Sequence, residues 1–253
     1  MCELFGLCSQ RAKNIKPYLR EFFSHSVRHP NGWGLAVFDS GGVKVRTETA
    51  SASESTLLPD ILDALPESRL LLAHIRRATI GGVKPENCHP FVRTDVSGRT
   101  WTLMHNGTVF SGTELQPFRS LQKGDTDSER ILLFLMELLR EKTAESGRPL
   151  NRTQRFEAVE YLTRELSYRN KLNLMIFDGE RLYVHMNMRG TLFVHQETES
   201  AMFSTTPLTP SGWEELPLNT LLAYEDGRLV QTGRSHCNEY LDVMGRITLD
   251  YNL

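Results

Sequence analysis

The chain has 253 residues, of which 40% are hydrophobic and 24% charged, and its formal net charge is -2. This is the composition of a globular protein with a sizeable core, and the lack of a basic run or acidic tail argues against electrostatic binding to nucleic acid or an anionic membrane. The longest apolar run, Ile131–Met136, is far below the ~20 residues that cross a bilayer. The first residues do not form a secretory signal, and four scattered cysteines without a CxxC pair suit a reducing compartment, so a cytoplasmic location is expected.

Short strands and hairpin turns dominate the predicted elements. From the N-terminus these are helix Pro17–His25, strands Gly34–Phe38 and Val43–Thr47, helix Ser55–Leu65, strands Arg69–His74 and Trp101–His105, helices Asp127–Lys142 and Thr153–Tyr168, and strands Lys171–Phe177, Arg181–Asn187, Thr220–Glu225 and Arg228–Thr232. Three strand pairs enclose turns that contain Asp and Gly, which tolerate the positive φ of a hairpin turn. We therefore expect mainly antiparallel sheets.

One predicted helix is apolar on nearly every side. Between Ile131 and Leu139 only Glu137 is polar, so this helix should be covered on more than one side. The polar segment Lys142–Arg152 is predicted to be a loop. Because hairpin patterns lie on both sides of this loop, we expect one α+β domain over residues 1–253, built from layered antiparallel sheets.

The cysteine at position 2 is the first candidate for chemistry. If the initiator Met1 is removed, Cys2 carries both a thiol and a free α-amine, whose pKa near ~8 lets it act as a base at neutral pH. Nucleophile and base would then occupy one residue. A cysteine at the second position also arises by chance, so this signal alone is weak.

Two segments that follow predicted strands are further candidates. Asn106 and Gly107 could supply a side-chain amide and a backbone N–H to an oxyanion hole, although Asn-Gly is also a strong turn signal. Arg76 and its neighbour Arg77 could hold a carboxylate, or both could simply be solvated.

Two loop segments offer polar groups with more than one interpretation. Cys88 and His89 match no standard zinc spacing, so metal binding is not expected there. Asp125 and Asp127 precede the apolar helix, where either could cap the first turn while Glu129 favours the helix dipole. One of the two could instead anchor a substrate ammonium, since capping and binding are compatible.

Taken together, these segments resemble the class II glutamine amidotransferase domain, an N-terminal-nucleophile hydrolase. The segments that carry the resemblance are Cys2-Glu3-Leu4-Phe5-Gly6, Asn31-Gly32-Trp33-Gly34, His74-Ile75-Arg76-Arg77-Ala78-Thr79, Asn87-Cys88-His89-Pro90-Phe91, His105-Asn106-Gly107 and Thr126-Asp127-Ser128-Glu129. Their order and rough spacing follow the family. The stretch Ser204–Leu208, with Trp213 soon after, resembles the C-terminal part of small stand-alone members.

The resemblance implies a four-layer αββα sandwich of two antiparallel sheets and a set of residue roles. Cys2 would be the nucleophile, with Asn106 and Gly107 as the oxyanion hole. Arg76 would bind the substrate α-carboxylate and Asp127 its α-ammonium. The remaining expected pocket residues are Thr79, His89 and Trp33, the last of which could equally be a core tryptophan.

The resemblance implies hydrolysis of the glutamine side-chain amide through a thioester, without a metal or organic cofactor. Because the sequence contains no phosphate-binding Gly-rich loop, ammonia would pass to a separate subunit, or the chain would act alone on glutamine or a γ-glutamyl compound. Two other functions stay open: a non-catalytic module that only binds the amino acid, and a thiol redox role for Cys2 with Cys8.

Overall fold

The computed structural model describes residues 2–242, which form two antiparallel β-sheets flanked by α-helices. The strands are β1 Glu3–Lys13, β2 Trp33–Asp39, β3 Gly42–Glu48, β4 Ser68–Ile75, β5 Phe91–Thr94, β6 Thr100–Thr108, β7 Lys171–Phe177, β8 Leu182–His185, β9 Phe193–Gln196, β10 Ser200–Ser204, β11 Glu214–Glu215, β12 Leu222–Glu225 and β13 Arg228–Thr232. The helices are α1 Lys16–Ser24, α2 Leu58–Ala64, α3 Asp127–Ser146 and α4 Arg152–Ser167, with 3-10 helices at His25–Arg28, Pro85–Asn87 and Gln116–Ser120.

The two sheets pack face to face because alternate side chains of each strand enter different cores. Sheet A has the order β11-β9-β10-β1-β4-β2-β3, and sheet B has the order β13-β12-β8-β7-β6-β5. In β4, Leu72 enters the core between the sheets, whereas Leu71 packs toward α1 and α2. In β7, Met175 enters the core between the sheets, whereas Leu174 packs toward α3 and α4. These three cores separate four layers, which confirms the αββα sandwich.

The predicted hairpins and helices are confirmed with boundaries that differ by a few residues. At the β12–β13 turn, Asp226 and Gly227 have φ angles of 51° and 77°, the left-handed conformation that the Asp-Gly pair favours. The apolar helix α3 is covered by sheet B, by α4 and by the segment around Phe118, whose ring lies 6.0 Å from that of Phe134. Of the described helices, none is long and apolar enough to cross a membrane.

The predicted loop Lys142–Arg152 was partly wrong, because α3 continues to Ser146. Gly147 then ends the helix in a left-handed conformation, with φ of 64°, and its N–H donates to the carbonyl of Thr143. Only the residues after Gly147 connect α3 to α4. The expectation of a single domain over the whole chain stays a prediction.

The first strand is the longest of five strands that the sequence did not reveal, the others being β5, β9, β10 and β11. β1 lies inside sheet A between β10 and β4, so both of its edges are paired. Its residues Leu4–Ser9 are continuously buried, because both faces of the strand are covered. A strand buried on both faces lacks the alternating pattern that marks a strand with one exposed face. The position of β1 matters because it begins directly after Cys2.

Candidate active site

Cys2 lies at the end of the space between the two sheets. The side chain of Leu4 in β1 belongs to the core between the sheets. A Cβ added to Gly6 would point into the same space, 2.9 Å from the sulfur of Met175 in β7. Because side chains alternate along an extended chain, the side chain of Cys2 points to the same side as that of Leu4 and as a Cβ on Gly6 would. The nucleophile candidate therefore faces sheet B.

The Cys2 thiol has a polar and charged environment. Its Sγ donates a hydrogen bond to the carbonyl of Arg77, 3.5 Å away. Burial raises the pKa of the Cys2 thiol, the Arg77 hydrogen bond and the positive charge of Arg76 lower it, and the negative charge of Asp127 raises it. The structure thus brings Cys2, Arg76 and Asp127 within electrostatic reach of one another, although they are far apart in sequence.

Thr205 holds the beginning of β1, and sequence reasoning assigned it no role. The backbone N–H of Leu4 donates to Thr205 Oγ1 at 2.9 Å, and the N–H of Thr205 donates to the Leu4 carbonyl at 3.0 Å. These two bonds fix the backbone two residues after Cys2. Thr205 belongs to the stretch Ser204–Leu208, whose resemblance to small stand-alone members was the signal in the sequence that could have identified it.

Arg76 is buried, with 3% of its surface exposed. Its Nη1 donates to the carbonyl of Gly82 at 2.9 Å, and its Nη2 donates to those of Ile80 and Gly81 at 3.1 and 3.2 Å. Among residues 2–242 no carboxylate forms an ion pair with this guanidinium. A buried cation held only by neutral carbonyls is suited to receive an anionic group from a ligand.

Two asparagines from the family-like segments brace the loop around Arg76. The Asn31 side chain accepts a hydrogen bond from the N–H of Ala78 at 2.9 Å. The Asn87 side chain donates to the Gly82 carbonyl at 2.8 Å and accepts from the N–H of Asp125 at 3.0 Å. Both segments are among those that carry the family resemblance, but the sequence alone assigned these asparagines no role. They connect the Arg76 loop to the segment that precedes α3.

Asp127 is the first residue of α3 and is buried, with 4% exposed. One carboxylate oxygen accepts from the N–H of Val109 at 2.8 Å, and the other accepts from the N–H of Ser128 at 3.0 Å. The capping interpretation needs a correction: Thr126 is the N-cap and accepts from the N–H of Glu129, whereas Asp125 lies outside the helix. Thr126 takes the cap because its extended backbone aims the hydroxyl at the first turn.

Asn106 and Gly107 lie near the end of β6, opposite Asn173 and Leu172 of β7. Asn106 has 1% of its surface exposed, and its Oδ1 is buried without a hydrogen bond within the described part of the chain. Side-chain alternation from Met104, which is in the core between the sheets, places Asn106 on the same side. A Cβ on Gly107 would lie 2.0 Å from the Lys171 carbonyl, so only glycine fits there.

The three other predicted pocket residues have different environments. Thr79 is exposed. His89 is buried and its Nδ1 lies 2.9 Å from Nε2 of His74, and burial holds the pKa of both rings well below the usual value. The Trp33 ring is fully buried in the core between sheet A and α1, where its Nε1 donates to Glu48 at 2.9 Å. Of the two expectations for Trp33, a pocket residue or a core tryptophan, the structure shows the second.

The other cysteines are separated from Cys2 or buried. Cys8 lies six residues further along β1, about 20 Å at ~3.3 Å per residue, which is far beyond disulfide reach. Its sulfur accepts from the N–H of Gly227, and burial raises the pKa of the Cys8 thiol to about 11. A redox pair of Cys2 and Cys8 therefore does not fit the fold. Within residues 2–242, no three His, Cys, Asp or Glu side chains are grouped to hold a metal ion.

A cavity of about 470 Å³ lies beside the Arg76 loop and α3. Its lining includes Ile80, Val109, Asp125 and Arg130. Val109 is the residue whose N–H binds Asp127, so the cavity adjoins the acidic side of the site. A cavity of about 530 Å³ lies beside Cys8, near the middle of β1 and away from Cys2.

The α+β sandwich of two antiparallel sheets resembles the fold of solved amidotransferase structures. The enzyme described as the allosteric regulatory enzyme of purine biosynthesis superposes with a TM-score of 0.68 at 18% identity, over 94% of this chain and 50% of that one. The chain thus spans about half the length of that structure.

The family follows from sequence comparison. The model of class-II glutamine amidotransferases matches residues 1–197, and the chain belongs to this family. An uncharacterized protein of Methanocaldococcus jannaschii is 25% identical, over 92% of this chain and 72% of its own length. The gamma-glutamyl-hercynylcysteine sulfoxide hydrolase of Mycolicibacterium smegmatis is 25% identical, over 86% of this chain and 88% of its own.

Proposed function

We propose that the chain, once Met1 is removed, hydrolyses the side-chain amide of glutamine through Cys2. The observation that supports this proposal is that the Cys2 thiol bonds to the carbonyl of Arg77, next to the buried Arg76, while the charges of Arg76 and of the buried Asp127 both act on the thiol. A free amino acid presents a carboxylate and an ammonium at one end. A buried cation and a buried carboxylate beside a thiol are complementary to that end, and leave the amide directed toward the sulfur.

The proposed reaction begins with attack of the Cys2 thiol on the γ-carbonyl carbon, while the thiol proton passes through water to the α-amine of Cys2. The tetrahedral intermediate carries negative charge on oxygen, where Asn106 Nδ2 and the N–H of Gly107 donate hydrogen bonds. The amine then protonates the leaving nitrogen, so that ammonia departs and a γ-glutamyl thioester remains. Water, activated by the same amine, releases glutamate and regenerates the thiol.

Arg76 and Asp127 set the selectivity for a free amino-acid end in this proposal. Arg76 holds the substrate α-carboxylate while the loop carbonyls of residues 80–82 keep its guanidinium in place. Asp127 holds the α-ammonium while the N–H groups of Val109 and Ser128 orient its carboxylate. Ammonia is either released or passed to a separate acceptor subunit.

A second candidate substrate is a γ-glutamyl peptide or conjugate. The observation that favours it is the match to the gamma-glutamyl-hercynylcysteine sulfoxide hydrolase, which extends over 86% of this chain and 88% of that protein. Both substrates use the same nucleophile, oxyanion hole and amino-acid end. They differ only in the amine that leaves.

The test uses purified full chain whose loss of Met1 is verified by mass spectrometry. We expect glutamate and ammonia to form from glutamine with the wild type and not with Cys2→Ala. The matched control is Cys237→Ala, which removes an exposed thiol and should retain activity. Rates with glutamine and with a γ-glutamyl dipeptide, measured side by side, identify the preferred leaving group. If Cys2→Ala equals the wild type, or if a glutamine-like chloroketone leaves Cys2 unmodified, the proposal is wrong.

A further inference from the structure

Lys171 is a buried lysine at the end of the gap between the sheets, and nothing in the proposed reaction uses it. It is the first residue of β7 and has 2% of its surface exposed. Lysine is seldom fully buried, because desolvating an ammonium costs free energy unless other charges or a function offset it. Burial lowers the pKa of Lys171 to about 8.

The register of the strands places Lys171 level with Cys2. Gly6 of β1 faces Met175 of β7 across the gap, since a Cβ on Gly6 would lie 2.9 Å from the Met175 sulfur. Cys2 precedes Gly6 by four residues, and Lys171 precedes Met175 by four residues. Because side chains alternate along a strand, a shift of four residues leaves Cys2 on the same face as Gly6, and Lys171 on the same face as Met175. Cys2 and Lys171 each lie about 13 Å from these reference residues, toward the start of their strands.

The neighbouring pairs support this placement. Lys171 is paired with Thr108, and Leu172 is paired with Gly107, so Lys171 adjoins the strand that carries the oxyanion candidates. The Lys171 carbonyl lies 3.3 Å from Nε2 of His105. Lys171 thus lies beside the proposed oxyanion hole and opposite the nucleophile.

Charged and titratable groups reach this region from several elements. The charges of Cys2 and of Asp242, in the C-terminal segment, both act to raise the pKa of Lys171. The charges of Arg76 and Asp127 also act on Cys2. The charge of Cys2 acts on Cys88, whose pKa is raised to about 11 by burial, so that Cys88 stays a neutral thiol.

We propose that Lys171 is a positioning residue for the nucleophile: its ammonium, facing Cys2 across the gap, favours the thiolate and the neutral α-amine of the mature N-terminus. This inference rests on the proposed role of Cys2. A nearby positive charge stabilises a thiolate and disfavours a second ammonium. Both effects increase the fraction of Cys2 that is ready to attack and to accept a proton.

The direct readout is the rate at which iodoacetamide alkylates Cys2, followed by peptide mass spectrometry from pH 5 to pH 10. Lys171→Met removes the charge with little change of volume. We expect Cys2 in this variant to be alkylated about tenfold more slowly at pH 7, the effect of one unit in thiol pKa. Lys44→Met removes an exposed lysine on β3 and should match the wild type.

Lys171→Arg separates charge from structure. Arginine keeps its charge throughout this pH range, so we expect alkylation at pH 7 within about threefold of the wild type. In kcat/KM for glutamine, the decline that deprotonation of Lys171 causes near pH 8 should disappear in Lys171→Arg. Superimposable alkylation profiles of Lys171→Met and the wild type, or equal losses in Lys171→Met and Lys171→Arg, would overturn the inference.

Asp242→Asn provides a variant outside the sheets, which keeps the test informative if Lys171→Met does not fold. Without the carboxylate, the Lys171 pKa should fall, and the alkaline decline in kcat/KM should move to lower pH. An unmoved decline in a folded Asp242→Asn protein counts against the inference. Because alkylation needs no turnover, failure of the inference is distinguishable from failure of the proposed glutamine hydrolysis, which Cys2→Ala tests separately.

Discussion

Arg76 and Arg77 are adjacent in sequence but have opposite environments. Arg76 is buried against the carbonyls of residues 80–82, whereas the Arg77 side chain is exposed and only its carbonyl approaches Cys2. The sequence left both as candidates for a substrate carboxylate. Burial distinguishes them, because a hydrogen bond to a desolvated charge is stronger than one to a charge in water.

We expect Arg76→Lys to raise KM for glutamine at least tenfold, because lysine cannot reproduce the two-pronged contact of guanidinium with a carboxylate. A hydrogen bond to a charged group contributes about 1.5–3 kcal/mol, which corresponds to this range. Steady-state kinetics of Arg76→Lys and Arg77→Lys, each checked by thermal unfolding, test the assignment. Equal KM values in the two variants would remove Arg76 from the substrate site.

Asn106 has a buried Oδ1 that makes no hydrogen bond within residues 2–242, so its side-chain amide is not committed through this atom to another part of the fold. We expect Asn106→Ala to lower kcat about 100-fold to 1,000-fold and to change KM little, because an oxyanion-hole donor acts mainly in the transition state. Measured kinetics and unfolding of the variant check this. A rise in KM with unchanged kcat would instead indicate a ground-state binding role.

The helix caps have different importance for function. Thr126 caps α3 immediately before Asp127, whereas Asn151 caps α4 through a reciprocal pair with Gln154. The sequence indicated both helices, and for α3 it offered Asp125 or Asp127 as the cap. It did not point to Thr126, since the choice of cap depends on backbone direction at the end of the preceding loop.

Thr126→Ala and Asn151→Ala form a matched pair of substitutions, because each removes the N-cap of one long helix. We expect each to lower the free energy of unfolding by about 1 kcal/mol, the usual contribution of an N-cap. Only Thr126→Ala should also raise KM for glutamine, because it loosens the turn that orients Asp127. Urea unfolding and kinetics of both variants provide the comparison, and a similar KM change in Asn151→Ala would show that global stability is responsible.

At the scale of the whole molecule, two histidines join the C-terminal segment to sheet B. Burial holds the pKa of His185 at about 3 and that of His236 at about 4, and the two rings meet with nitrogens 2.8 Å apart. His236 belongs to the C-terminal segment, in which the N–H of Tyr240 donates to the Asn187 carbonyl. This contact between rings thus holds the C-terminal segment against sheet B.

These histidines predict that stability falls in mild acid. Their folded-state pKa values lie below the unfolded value of about 6.5, so the unfolded chain binds more protons between about pH 6.5 and pH 3. Their stabilising contribution is complete above that window and decreases as the pH falls through it. We expect the free energy of unfolding to drop between pH 7 and pH 4, and to drop by less in His236→Gln. Urea unfolding at several pH values tests this, and a flat profile would contradict it.

The sequence by itself determined the hairpins, the main helices and the segments that carry the family resemblance, because turn residues, apolar periodicity and motif order are local properties of the chain. Tertiary structure alone decided that β1 is an inner strand, that the Trp33 ring belongs to the core, that Thr205 bonds to the backbone of Leu4, and that Lys171 is buried. Strand pairing and sheet stacking bring together residues as distant in sequence as Leu4 and Thr205. No local pattern in the sequence records such contacts, so the surroundings of Cys2 emerged only from the packed sandwich.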